Sequence, residues 1–366
     1  MLTEEDTIMP ARPTRRSVVT TLAYAGVAMP AVWSGRSWAA GRSISVGTFS
    51  GPMADFVRQK IVPGFEADYS CRVYQTENFT LGQIALLRQQ KVKPTYSVIM
   101  MDDTGIPIAK TENLIAPLDP GKIPNMGNAF PRYVLNDSHG VAFTVSTVAP
   151  FVNPANGPAI ASYADLWDER FRGRLLMISP NQGGSVMLLI AAAALATGKP
   201  LKDAQYAFES GYAKLAELKP NVMTTYDNHV TAILQIAQGE ADIGAMGFSK
   251  DIVPYQLKGA AVQQCFPKEG VFGGVNCLTL VKNAPEPELG RAFIDRILSV
   301  EIQKGMAETL FSAPTVRNVV LNQDAASRVA YPEKRLDEMN VFMVDWDYIN
   351  ARRGEIVERL NNIFRS

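Results

Sequence analysis

The sequence predicts an α/β protein of two lobes joined by two extended crossings, with a cleft between them. Three observations carry that prediction. Strand-like and helix-like patterns alternate in two separate series along the 366 residues. Two stretches rich in Val, Thr and Phe, with no helix inside them, divide and rejoin the series. Short Gly-, Ser- or Asp-containing segments end several strands just where a helix begins, and in such sheets ligands bind beyond the carboxyl ends of the strands.

The first series opens with "SISVGTFSG", in which Ile44, Val46 and Thr48 alternate before the turn at Ser50-Gly51. "PMADFVRQKIVPGFEADY" follows with helical spacing at Met53, Phe56, Val57 and Ile61. "SCRVYQTE" is a short strand. "TLGQIALLRQQ" is an amphipathic helix with Leu81, Ile84, Ala85 and Leu87 on its apolar side. "YSVIMMDD" is a continuous apolar strand ending in two adjacent acids, Asp102 and Asp103. The alternation implies a parallel sheet covered on both faces.

"GVAFTVSTVAPFVNP", residues 140–154, is the first crossing. A second series comprises the strand in "YADLWDERFRGRLLMISP", three helices ("SVMLLIAAAALATG", "DAQYAFESGYAKLAELKP", "HVTAILQIAQGE") and the strand "ADIGAMGF". "VFGGVNCLTLVKNAP" carries the chain back. "EPELGRAFIDRILSVEIQKGMAETL" is a long helical finish with Ala292, Phe293, Ile297 and Leu298 as its buried positions. The expected boundaries are residues 43–145 plus 277–366 for lobe 1 and 146–276 for lobe 2.

Composition is that of an ordinary globular protein, with 47% apolar and 20% charged residues and a formal charge of zero. No basic block favours nucleic acid. Residues 1–39 differ from the rest: Arg15-Arg16 precede a modest apolar segment, Val18 to Trp33, then a small-residue cleavage pattern at Ser37-Trp38-Ala39. This reads as a cleaved export signal, and "TRRSVV" resembles the twin-arginine class with Val18 in place of the usual Phe. A periplasmic location follows as the expectation. Three cysteines occur, Cys71, Cys265 and Cys277; a Cys265–Cys277 bridge and small buried thiols are both open readings. With two distant histidines and no CxxC, no metal site or cofactor is expected.

The order of these motifs resembles the extracellular solute-binding proteins of ABC importers, in the family that includes spermidine/putrescine binders. The residues that carry the resemblance are "SVGTFSGPMADFVRQKIVPGFE", "VIMMDDTGIPIAKTENLIAPLDPGKIPN", "SYADLWDERFRGRLLMISP", "LQIAQGEADIGAMG", "LVKNAPEPELGRAFIDRILSVEIQKGMAE" and "SAPTVRNVVL". The resemblance implies a type II periplasmic-binding-protein-like fold, acting as a monomer without catalysis. Cleft closure on a small-molecule solute would precede delivery to an ABC permease in the inner membrane.

Candidate ligand contacts sit at strand ends and crossings. Asp103 and Thr104 lie at the carboxyl edge of the acid-terminated strand, where a carboxylate holds an ammonium or a helix cap; for Asp102, capping or solvation is the reading. Ser50 and Gly51 offer backbone N–H groups at a helix start, and Gly184 and Ser185 form a second such turn before an apolar helix. Tyr226 and Asp227 precede another helix at a place where, by resemblance, family members touch ligand; Asp227 or Asn228 as its N-cap is the competing reading. Phe248, Phe272 and Asn276 occupy strand-end and crossing positions, and Glu77 follows the second strand.

The expected solute is small, polar and amine-bearing, polyamine-like or amino-acid-like. An organophosphonate or sugar phosphate is the alternative. The chain has no Tyr-Tyr pair of the kind iron binders present. A thiaminase-like enzyme would need an activated cysteine, and Cys71 has no recognisable activating motif. A role as loaded partner of a chemoreceptor needs the same clam shell as transport does.

Overall fold

The computed structural model describes residues 41–155 and 160–364; the expected export signal lies outside them. Eight principal strands form one curled sheet. In chain order they are β1 (Ser43–Thr48), β2 (Arg72–Glu77), β3 (Val98–Asp102), β4 (Gly140–Val152), β5 (Leu175–Ile178), β6 (Val222–Tyr226), β7 (Ile243–Phe248) and β8 (Val271–Val281). Their spatial order is β2-β1-β3-β8-β4-β7-β5-β6. β1 pairs parallel with β2 and β3 at one end, and β5 pairs parallel with β6 and β7 at the other. Between these parallel halves β8 and β4 run antiparallel to each other and to their outer neighbours. These two strands are the extended crossings, and both are buried along their whole length.

Two hydrophobic cores flank the crossings. The first packs β1 and β3 with the helices Pro287–Ile297 and Val300–Leu310; the second surrounds the apolar helix Gly183–Thr197. Core membership changes within each crossing, from Val145 to Val148 on β4 and from Phe272 to Val275 on β8. In the helical finish Phe293, Ile297 and Leu298 are buried as spacing predicts, whereas Ala292 is only half-buried. The finish is two helices because Ser299 caps the second, its Oγ accepting from the Ile302 N–H.

Two features differ from expectation, and a third decides between the two open readings of the cysteines. The first long helix contains a π segment at Val57–Ile61, followed by Pro63. The segment from Trp346 onward, expected with lobe 1, buries Trp346, Ile349, Ile356 and Leu360 in the second core. Their near-helical spacing gives this segment an apolar face, and Arg359 Nη2 secures it to Glu209 Oε2 at 2.8 Å. All three cysteines are free: Cys265 packs in the second core and Cys277 in the first, so no bridge joins them. Among the described residues no helix is long and apolar enough to cross a membrane.

Gly274 in β8 is required by a close approach. A Cβ there would stand 2.6 Å from Phe248 Cε1, so only glycine lets that ring lie against the crossing. Gly274→Val displaces Phe248 and costs about 1–3 kcal/mol by overpacking, which chemical denaturation measures.

Candidate ligand-binding site

A cavity of about 560 Å³ opens where the carboxyl ends of β1 and β3 face the loops of the second half-sheet. That volume suits a small organic molecule. Its walls come from the β1 end (Phe49, Ser50), the start of the helix Thr80–Gln89, the Asp102–Thr104 corner, the loop before Gly183–Thr197, and two further groups, Asp227 with His229 and Val230, and Phe248 with Lys250 and Asp251. Trp346, Asn350 and Arg353 of the C-terminal segment complete it.

The acid corner is built by strand pairing. Asp102 sits opposite Asn276 in the β3/β8 register, and the Asp103 N–H donates to Val275 O at 3.0 Å. Asp102 Oδ2 accepts from Thr80 Oγ1 at 2.7 Å and Oδ1 from Asn276 Nδ2 at 2.8 Å. These neutral donors orient the carboxylate while leaving its charge uncompensated. Asp103 Oδ1 accepts from the Thr104 N–H at 2.9 Å. Burial, and then the charge of Asp102 beside it, push the Asp103 carboxyl well above the usual carboxylate range. Neither acid caps the helix Gly105–Thr111, whose N-cap position, Thr104, makes no side-chain cap bond. The Trp346 indole N–H faces Asp103 outside hydrogen-bonding geometry and, buried, meets no other partner among the described residues.

Four carboxyl groups (Asp102, Asp103, Asp227, Asp251) line the cavity against two cations, Lys250 and Arg353, so the site favours positive charge. Lys250 is committed internally. It is buried, its Nζ donates to Asn276 Oδ1 at 2.9 Å, and it stands over the Phe49 and Phe248 rings at 4.6 and 5.2 Å. His229 meets Gln182 Oε1 through Nε2 at 2.8 Å and packs edge-on against Tyr226 and Phe248. Burial lowers its pKa, which keeps the ring neutral at neutral pH. Among the described residues no group of three or more His, Cys, Asp or Glu side chains is arranged to hold a metal.

Of the residues singled out from sequence, Ser50, Asp103, Thr104, Asp227 and Phe248 line this cavity together. Asn228 takes the N-cap of the helix His229–Ala237, accepting from the Thr231 N–H at 3.1 Å, which leaves Asp227 at the cleft. The others lie elsewhere for identifiable reasons. Gly51, at φ +77°, makes the turn behind Ser50. Glu77 pairs with Arg58 at 2.6 Å on the surface. Gly184 packs against Ile178, and the Ser185 hydroxyl bonds back to Gln182 O at 2.7 Å. Tyr226 is buried with its hydroxyl on Met246 O, and Phe272 packs in the second core against Tyr163 and Phe342. Asn276 is fully buried behind the wall, where it positions Asp102 and Lys250. Phe49, Lys250, Asp251, Trp346 and Arg353 line the cavity without having been singled out.

Burial raises the pKa of every cysteine thiol: Cys71, Cys265 and Cys277. None has the depressed pKa that a nucleophile requires.

Comparison with known proteins agrees with this architecture. The family profile for bacterial extracellular solute-binding proteins matches residues 72–333. The chain is 23% identical over 272 residues to the spermidine/putrescine-binding periplasmic protein of Escherichia coli (strain K12), covering 71% of this chain and 76% of that one. Among solved structures it resembles the periplasmic binding protein MotA of A. tumefaciens B6 in complex with glucopine, with a TM-score of 0.75 and 19% identity over 88% of this chain and 100% of that chain. AfuA of Actinobacillus pleuropneumoniae, with fructose-6-phosphate bound, superposes with a TM-score of 0.71 at 16% identity, covering 88% and 98% of the two chains. Two parallel half-sheets joined by two buried crossings, a cleft at their strand ends and a family match over most of the chain lead to one assignment: this chain belongs to the bacterial extracellular solute-binding proteins, the non-enzymatic capture components of ABC importers.

Proposed function

We propose that the protein captures a small, amine-bearing organic solute outside the inner membrane and hands it to an ABC permease. The observation that carries this reading is the Asp102–Asp103 corner. Two adjacent carboxyl groups line the cavity wall, and neither forms an ion pair among the described residues. An ammonium placed between them would favour the ionised form of Asp103 beside Asp102 and gain charge-assisted hydrogen bonds in a partly desolvated site. Phe49 and Phe248 supply apolar walls for the aliphatic part of such a solute. Capture shifts the protein toward its closed form because solute contacts on both lobes exist together only there.

A related protein named for spermidine and putrescine supports an amine. A structural relative holding fructose-6-phosphate keeps a phosphate-bearing solute as the rival reading, to which the excess of acids in this cavity is opposed. Titration calorimetry with polyamines, amino acids, phosphonates and sugar phosphates tests the choice. Amine binding is the expected result; tight phosphonate or sugar-phosphate binding without amine binding would reject it. The Arg15-Arg16 leader would bring the folded protein to the periplasm, as a monomer.

A further inference from the structure

The cavity also holds a cation that the amine reading leaves unused. Arg353, the first residue of the helix Arg353–Phe364, lines the wall. Its Nη2 donates to Asn181 O at 3.0 Å, which ties the guanidinium to the backbone just ahead of the helix Gly183–Thr197. Its Nη1 is buried and meets no hydrogen-bond partner among the described residues. A guanidinium donor withdrawn from water and left unmatched is costly unless something else meets it. Burial lowers the Arg353 pKa to about 10, so the group remains charged at neutral pH.

The fifteen-residue helix beside it is uncapped. Its N-cap residue Gln182 makes no cap bond because its side chain is turned to Asp227 O and His229. Gly183, in the first turn of that helix, and Arg353 therefore both line this stretch of wall. That stretch adjoins the acid corner. A Cβ on Gly183 would stand 3.5 Å from Thr104 Cγ2 and 3.4 Å from the Trp346 ring, and Asn350 Nδ2 donates to Thr104 O at 2.8 Å.

The geometry points to a solute that carries a carboxylate next to its amine: a compact zwitterion of the α-amino-acid kind, with its ammonium at Asp102–Asp103 and its carboxylate on Arg353 and the Gly183 helix terminus. This rests on the amine reading above and narrows it. A linear polyamine would place a second ammonium or a methylene chain against Arg353 and leave the buried donor unmet. Lys250 is unsuited to the same task, since Asn276 and two aromatic rings already hold it.

The test is titration calorimetry on the whole exported chain with matched pairs: each α-amino acid against the amine that removal of its carboxyl group leaves, ornithine against putrescine among them. At least one amino acid is expected to bind tenfold or more tightly than its amine, on the order of one charge-assisted contact. Arg353→Gln is expected to erase that preference, and Arg353→Lys to restore part of it, with thermal melts confirming folded protein. Amines binding as tightly as their amino acids, or a preference that survives Arg353→Gln, would overturn the carboxylate contact while leaving the amine reading standing. An amine-free anion binding in place of both, or no binding by any pair, would overturn the amine reading and this inference with it. The wild-type comparison needs no variant, so a misfolded Arg353→Gln protein does not shelter the proposal.

Discussion

Asp103→Asn is expected to weaken binding of an amine-bearing solute by about 2–4 kcal/mol, roughly 30- to 700-fold, while raising the melting temperature of the ligand-free protein at neutral pH. Both effects come from one carboxyl group. Burial and the neighbouring Asp102 charge raise the Asp103 pKa in the folded state. Above its unfolded pKa, the folded protein therefore binds more protons than the unfolded chain, and stability falls as pH rises through the folded value. Asparagine removes that penalty, so the gain should vanish at pH values below the ordinary carboxylate range. Binding runs the other way. The ammonium needs the ionised acid, so wild-type affinity falls as pH drops through the raised Asp103 pKa, and capture releases a proton. Calorimetry and melting curves recorded from the ordinary carboxylate range upward read both trends. A variant that binds as well as wild type would remove Asp103 from the site.

Asn276→Ala is expected to destabilise the protein by about 2–4 kcal/mol, because it strands two charged groups at once. Asn276 is fully buried where the crossings meet. Its Oδ1 accepts from Lys250 Nζ at 2.9 Å and Thr144 Oγ1 at 3.2 Å, and its Nδ2 donates to Asp102 at 2.8 Å. Alanine leaves the buried ammonium without its acceptor and frees Asp102 to rotate, so solute affinity should fall together with stability. Denaturant unfolding measures the first effect and calorimetry on the folded fraction the second. A stability loss under about 0.5 kcal/mol would mean that water replaces the amide at no cost.

The architecture was legible because it rests on patterns that act locally. Val98 to Met101 read as a buried strand since four consecutive apolar residues bounded by polar ones have few other uses. The crossings stood out as β-rich stretches with no helix to make a parallel return. Within the site, Asp103 was recoverable because an acid at the carboxyl end of a parallel strand has a defined place in space. Tyr226 and Phe272 were not separable from cleft aromatics, since a strand-borne ring faces core or cavity according to a register that sequence does not print. Lys250 and Asp251 lie in the first turn of the helix Ser249–Leu257, an element that the sequence reading did not include. Trp346 and Arg353 reach the cavity only because the C-terminal segment docks on the second core, a long-range contact without a local signal. In retrospect the one trace is "DWDYIN", where Asp345 caps a short helix by accepting from the Tyr348 N–H at 3.1 Å.

Native mass spectrometry of the folded protein, followed by identification of the solute released on denaturation, puts the matter to the strictest trial. A bound molecule with at least one basic nitrogen, lost from Asp103→Asn, is the predicted finding. A phosphorylated or neutral sugar with no amine, retained by that variant, would contradict it.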